Sequence, residues 1–130
     1  MIKREISKIA VIYNLKKEPP NGKPEDYYAE YDPISVPLSI KESLERHGFS
    51  ADIIEADEFL YEKLRNSNIG FVFNIAEGIR GESRESHVPA ILEMLGIPYT
   101  GSSVLTQAIT LDKRRTKEIL VYHGIPTPKF

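Results

Sequence analysis

Short apolar runs alternate along the chain with stretches whose apolar residues recur every three or four positions. Ile9–Tyr13 is apolar without alternation, the pattern of a strand buried on both faces. Val36, Ile40 and Leu44 share one face of a helix running to about His47, and Gly48 stands where a left-handed cap belongs. The start of that helix has two readings. Asp32 and Pro33 can act as cap and first-turn residue, which strains the second turn at Pro37; Ser35 as cap leaves Pro37 in the first turn. Residues 51–56 predict a second strand, and Asp57 then caps a helix to about Asn66 with Phe59, Leu60 and Leu64 apolar. Residues 69–75 are rich in aromatic and β-branched side chains and predict the strongest strand. Residues 87–95 predict a helix with Val88, Ile91, Leu92 and Leu95 inward, ended by Gly96. A short fourth strand over 97–100, a short helix over 103–110, and a helix capped by Asp112 and closed after His123 by Gly124 follow. Residues 125–130 read as an extended piece with two prolines.

Strand and helix alternate throughout. This predicts an α/β domain of three layers, with a mostly parallel sheet of about four strands and helices on both faces. The domain is expected over residues 1–124, with 125–130 as the start of a linker or incoming strand. In such sheets ligands bind outside the carboxyl ends of the strands, where strand order reverses. Two polar loops leave those ends. Residues 14–32 hold three prolines, a glycine and eight charged residues, and a loop of that length is functional or mobile. Residues 76–85 form the second. If the first and third strands are neighbours, the loops face each other. Gly78 and Gly81 then let backbone approach a ligand. Arg80 and Arg84 suit a carboxylate or phosphate, and Glu30, Glu77 and Glu85 suit an ammonium.

Composition narrows the field. The chain has 130 residues, 17 basic and 19 acidic, and a formal net charge of −2. Near-balance gives no general pull toward nucleic acid. The absence of cysteine excludes a disulfide framework, a thiolate zinc site and a cysteine nucleophile. No apolar run approaches the ~20 residues of a membrane span, and the basic start lacks a signal-peptide core, so a cytoplasmic chain is expected.

Other candidates carry less chemistry. His47, His87 and His123 show no metal-ligand spacing, and His47 and His123 each precede a glycine at a helix end, where a cation favours the dipole. Ser102 and Ser103 read as helix caps, with no base placed to activate them. No GxGxxG follows the first strand and no Walker A motif exists. No acidic pair follows the first strand, which argues against receiver-type chemistry.

Four segments carry a resemblance. They are Val72-Phe73-Asn74-Ile75-Ala76-Glu77-Gly78, the run from Leu92 through Gly96-Ile97-Pro98-Tyr99-Thr100-Gly101-Ser102, Leu111-Asp112-Lys113-Arg114-Arg115-Thr116-Lys117, and Gly124-Ile125-Pro126-Thr127-Pro128. In order and spacing they resemble the amino-terminal, Rossmann-like, pre-ATP-grasp domain of D-alanine–D-alanine ligases. The resemblance is dense from Phe71 onward and architectural before it. It implies ATP-dependent joining of a carboxylate to an amine through an acyl phosphate, with ATP and two Mg2+ as cofactors of the intact ligase. The nucleotide grasp and metal carboxylates would lie in later subdomains, so this chain alone is expected to be inactive and to bind neither cofactor. Implied partners are an amino-acid or dipeptide substrate, the ATP-grasp domain and a possible homodimer; no nucleic acid or membrane is implied. The family role is cell-wall peptidoglycan biosynthesis.

The resemblance also implies site residues. Glu30 falls within one residue of the family's ammonium-binding glutamate, with Asp32 as fallback. Glu77-Gly78 stands where the family usually has His-Gly. Ser83-Arg84-Glu85-Ser86 replaces Gly-Glu-Asp-Gly, in a loop about two residues longer. Lys113 matches a lysine near the nucleotide. The family's Gly-Gly-x-Ser turn is missing. These departures mark a divergent branch, whose substrate is D-alanine, another amino acid or a peptide. Two rival readings are a stand-alone amino-acid or nucleotide-binding module and a dimerisation module.

Overall fold

A computed structural model describes residues 8–130. The first seven residues, on which the reading of the chain's start rests, lie outside it. β1 (Ile9–Tyr13) is buried along its whole length. It lies between β2 (Ala51–Glu55) and β3 (Phe71–Asn74) and pairs with both in parallel. The order β2-β1-β3 makes the first and third strands neighbours, as the site argument required. Strand order reverses at β1, so the ends of β1 and β3 form the switch-point crevice. The expected fourth strand is a single parallel bridge, Val72 with Tyr99. Two backbone hydrogen bonds among the described residues hold it, from Val72 N to Pro98 O and from Thr100 N to Val72 O. Pro98 has no N–H to extend the ladder.

α1 (Ser35–Arg46) packs on β1 and β2. Neither expected cap is realised. Ile34 occupies the cap position without a side-chain hydrogen bond, and Asp32 is held by its backbone, which bonds to Asn14 O and Lys16 N. Pro37 is the third helical residue and is fully buried; its missing N–H is one the first turn leaves unbonded anyway. α2 (Leu60–Arg65) starts later than expected, because Asp57 Oδ1 accepts from Phe59 N in a local turn and its other oxygen takes Lys63 Nζ at 2.6 Å.

α3 (His87–Leu95) follows a short 3₁₀ turn at Arg84–Ser86. Gly96 ends it at φ 65°, a left-handed cap that L side chains rarely adopt. α4 (Val104–Leu111) is capped by Ser103, whose side chain accepts from Thr106 N. α5 (Lys113–Tyr122) is capped by Asp112, whose Oδ1 accepts from Arg114 N and Arg115 N at 3.0 Å. Residues 125–130 carry no regular structure.

The period-two alternation of β1 divides its residues between two cores. Ala10 and Ile12 join Leu60, Leu64, Ile69, Val72, Val88, Leu92 and Ile97 in a cluster under α2 and α3. Ile54, the β2 partner of Ile12, packs against the same cluster, as do Ile91 and Leu95. Ile9, Val11 and Tyr13 are buried outside this cluster and lie by alternation on the opposite sheet face, where α1 packs. Among the described residues, no helix is long and apolar enough to cross a membrane.

The α2–α3 core sets the stability. Leu92 is fully buried in it, whereas Met94 on the same helix is 75% exposed. Leu92→Ala is expected to destabilise by about 2–5 kcal/mol through lost burial and a cavity. Met94→Ala should stay within ~0.5 kcal/mol. Urea denaturation of both variants measures the contrast.

Candidate functional site

The loops after β1 and β3 meet over the carboxyl end of the sheet, and one side chain fastens them. Asn14, directly after β1, is buried. Its Nδ2 donates to Ala56 O, just past β2, at 2.9 Å. Its Oδ1 accepts from Glu77 N and Gly78 N, just past β3, both at 2.9 Å. One amide thus ties the ends of all three strands.

The loop over residues 14–32 closes on itself. Lys16 N bonds to Asp32 O and Asp32 N to Asn14 O, so its ends are adjacent in the manner of an Ω-loop. Successive turns, Tyr27 N to Pro24 O, Ala29 N to Asp26 O and Tyr31 N to Tyr28 O, give its tip a folded shape. Two contacts join this loop to the one after β3. Tyr31 Oη donates to Gly78 O at 2.7 Å, and Arg84 forms an ion pair with Glu30. Burial, followed by the neighbouring phenol of Tyr28, raises the Tyr31 pKa, so its hydroxyl stays a donor.

Gly78 has φ 80°, and a Cβ there would collide with the Arg84 carbonyl. Its glycine character serves the packing of this loop on itself. The cleft between the loops is about 540 Å³. Its wall includes Tyr27, Tyr28 and Tyr31 from the first loop and Ile79, Arg80 and Arg84 from the second. The end of β2 adds Glu55, Asp57 and Glu58.

Of the residues singled out from the sequence, Glu30 and Arg84 line the cleft. Glu77 and Gly78 lie outside its lining, and their backbone amides donate to Asn14, which is part of it. Asp32 closes the neck of the first loop through its backbone. Glu85 sits in the 3₁₀ turn. The carboxyl of Glu77 is pushed above its ordinary value by burial first, then by the charges of Glu85, Glu30 and Asp32, with Arg84 opposing. Glu85, Glu30 and Arg84 therefore all act on the Glu77 carboxyl. Lys113 stands elsewhere, in a second recess of about 450 Å³ with Lys117 and Phe130, its Nζ donating to Thr110 O. Among the described residues no group of acidic or histidine side chains is arranged to hold a metal ion.

Sequence reasoning did not single out Asn14, Tyr28, Tyr31 or the acids after β2. A signal for two of them was present. Three of the chain's seven tyrosines fall within residues 27–31, a dense aromatic cluster in a loop otherwise polar. Asn14 carried only the mark of being the first polar residue after a fully apolar strand.

No protein-family model matches the chain. Individual relatives do. The uncharacterized protein y4sG of Sinorhizobium fredii is 57% identical over 61 residues, 47% of this chain and 18% of that protein. The D-alanine–D-alanine ligase of Glaesserella parasuis is 45% identical over 89 residues, 68% of this chain and 29% of that enzyme. A crystal structure of the D-alanine–D-alanine ligase of Bacillus anthracis complexed with ATP matches 95% of this chain and 38% of its own, at TM-score 0.70 and 30% identity. The chain thus spans less than two fifths of the length of these ligases.

Two outcomes follow from this geometry. Asn14→Ala strands two backbone donors and one carbonyl, and is expected to destabilise by about 2–3 kcal/mol, from the cost of unsatisfied buried groups. The loss of protection at the Glu77 and Gly78 amides in hydrogen exchange checks where the effect lies. Glu77 has a raised folded-state pKa, so its contribution to stability is fully present below the ordinary value of 4.5 and is lost as pH rises through the folded value. Glu77→Gln is therefore expected to gain stability relative to the parent as pH climbs above 4.5, with the gap vanishing below it. Denaturant midpoints across that range measure the crossover.

Proposed function

We propose a function from the premise that this chain is homologous to the amino-terminal part of D-alanine–D-alanine ligases and shares its fold: it is the substrate-side domain of an ATP-dependent ligase joining a carboxylate to an amine. The cleft between the β1 and β3 loops receives an amino acid. ATP, Mg2+ and the acyl-phosphate chemistry belong to residues of the intact ligase outside this domain, and a role in peptidoglycan synthesis follows if the substrate is D-alanine.

The observation that carries this reading is the meeting of Glu30, Glu77 and Glu85 with Arg84 at the carboxyl ends of β1 and β3, fastened by Asn14. Opposite charges at one edge suit a zwitterion. An ammonium is attracted by the carboxylates, and a carboxylate by Arg84 or Arg80. Glu30 lines the cleft as the resemblance requires of the ammonium-binding residue. Its pairing with Arg84 means that an incoming ammonium competes for a carboxylate already oriented toward the cleft. Helices α4 and α5 contribute no buried residue, while Leu105, Ile119, Val121 and Tyr122 stand exposed on them. That surface suits packing against the nucleotide-binding part of a ligase, and it equally favours the second reading, a homodimer.

Nuclear magnetic resonance titration of the chain with amino acids tests the assignment. Amide shifts are expected at Glu77, Gly78 and Arg84. Glu30→Gln should weaken binding roughly 10- to 100-fold, the equivalent of losing one charge-assisted hydrogen bond of about 1.5–3 kcal/mol. In a full-length ligase carrying this domain the same change should raise the amino-acid KM by a similar factor. Unchanged affinity and KM in Glu30→Gln would exclude the role.

A further inference from the structure

The cleft has one wall that an alanine site does not need. Tyr28 and Tyr31 lie with ring centroids 5.2 Å apart and a 31° tilt, and Tyr27 meets Tyr28 edge-on at 4.8 Å. All three line the cleft. The wall is preorganised. Tyr31 is pinned by its hydroxyl to Gly78 O, Tyr28 packs on Tyr31, and Lys23 lies 5.4 Å from the ring centre of Tyr27. Rings fixed before binding lose little freedom on contact. Ile79, 46% exposed, adds an apolar group to the lining.

Size points the same way. Alanine has six non-hydrogen atoms. Even at the roughly 30 Å³ that each molecule takes in liquid water, they fill only about 180 Å³. The cleft formed by this chain's own residues measures about 540 Å³, of which an alanine fills a minor part. Among the charged residues of the cleft wall, Lys17 pairs with Glu55, Arg84 with Glu30 and Asp57 with Lys63, and Arg80 and Glu58 are left without an ion pair among the described residues.

We propose that the cleft takes an amino acid with an aromatic side chain, its ring stacked on the wall of Tyr27, Tyr28 and Tyr31 and its carboxylate held by Arg80. This rests on reading the cleft as an amino-acid site. Aromatic rings favour offset or edge-on packing on one another, and the three rings lie at differing tilts along the wall. The planar guanidinium of Arg80 suits a carboxylate in two-point contact.

The test is a titration of the chain followed by nuclear magnetic resonance, with phenylalanine, alanine and adenosine as probes and both enantiomers of each amino acid. One enantiomer of phenylalanine is expected to bind at least tenfold tighter than alanine and to shift the Tyr27, Tyr28 and Tyr31 resonances. Tyr28→Phe should keep that preference, because no hydrogen bond of its hydroxyl is used, and Tyr28→Ala should remove it. Equal affinities for phenylalanine and alanine would overturn the aromatic assignment while leaving the amino-acid cleft standing. No shift at Glu77, Gly78 or the tyrosines with either amino acid would overturn both. Adenosine binding on the wall in the absence of phenylalanine binding would make the occupant a nucleobase, and overturns the proposal as well.

Discussion

Asn14 is the point on which the rest of the site depends. A parallel sheet brings its strand ends out on one side, but nothing in strand pairing alone fixes the loops that leave them. Here one buried carboxamide contacts the backbone beyond both neighbouring strands, donating toward β2 and accepting twice from the β3 side. A carboxamide is suited to this because it carries donor and acceptor on one planar group. An aspartate could accept from Glu77 and Gly78 but would turn a charge toward Ala56 O. The clamp fixes the first two residues of the β3 loop. The bend at Gly78 then places Arg84 beside Glu30 and offers a carbonyl to Tyr31.

The electrostatics follow from that fixed bend. The backbone of Glu77 is held by Asn14 beside the cleft, and its half-buried carboxyl is pushed up first by burial. Glu30 and Glu85 approach from different loops and add to the strain of keeping it charged, while Arg84 relieves it. A cluster with more negative than positive groups, partly withdrawn from water, is poised to accept a cation. Protein residues meet part of that demand through Arg84. On the reading proposed above, a ligand ammonium meets the rest by replacing or joining that guanidinium.

Much of the architecture was legible because it rests on local patterns. The five buried residues of β1 read as a doubly covered strand. The inward set Val88, Ile91, Leu92 and Leu95, the Ser103 and Asp112 caps and the Gly96 terminus each follow from side-chain type and spacing. The fourth strand misled because apolar Ile97 and Tyr99 fit a strand while Pro98 withholds a donor, leaving one bridge. The start of α1 misled because Asp32, a good cap by type, is committed by its backbone to closing a loop whose other end is eighteen residues away. The site was legible only in outline. That the loops carrying Glu30 and Arg84 would face each other follows once the first and third strands are neighbours. That Asn14 would fasten the loops, and that three tyrosines would turn toward the cleft, depends on contacts between segments far apart in the chain, which no local pattern encodes.

The internal pairing of the cleft bounds what the charges alone can contribute to binding. Glu30 is exposed on one side, and an exposed ion pair stabilises by only about 0–1 kcal/mol. An ammonium that displaces Arg84 therefore loses little by breaking the pair. The tyrosine wall is different in kind. Tyr28 and Tyr31 are already half withdrawn from water and rigidly placed, so covering them removes apolar surface without an ordering cost on the protein side. On the reading proposed above, discrimination between one amino acid and another comes from the side chain that meets that wall, because charged groups contact the ammonium and carboxylate that all amino acids share.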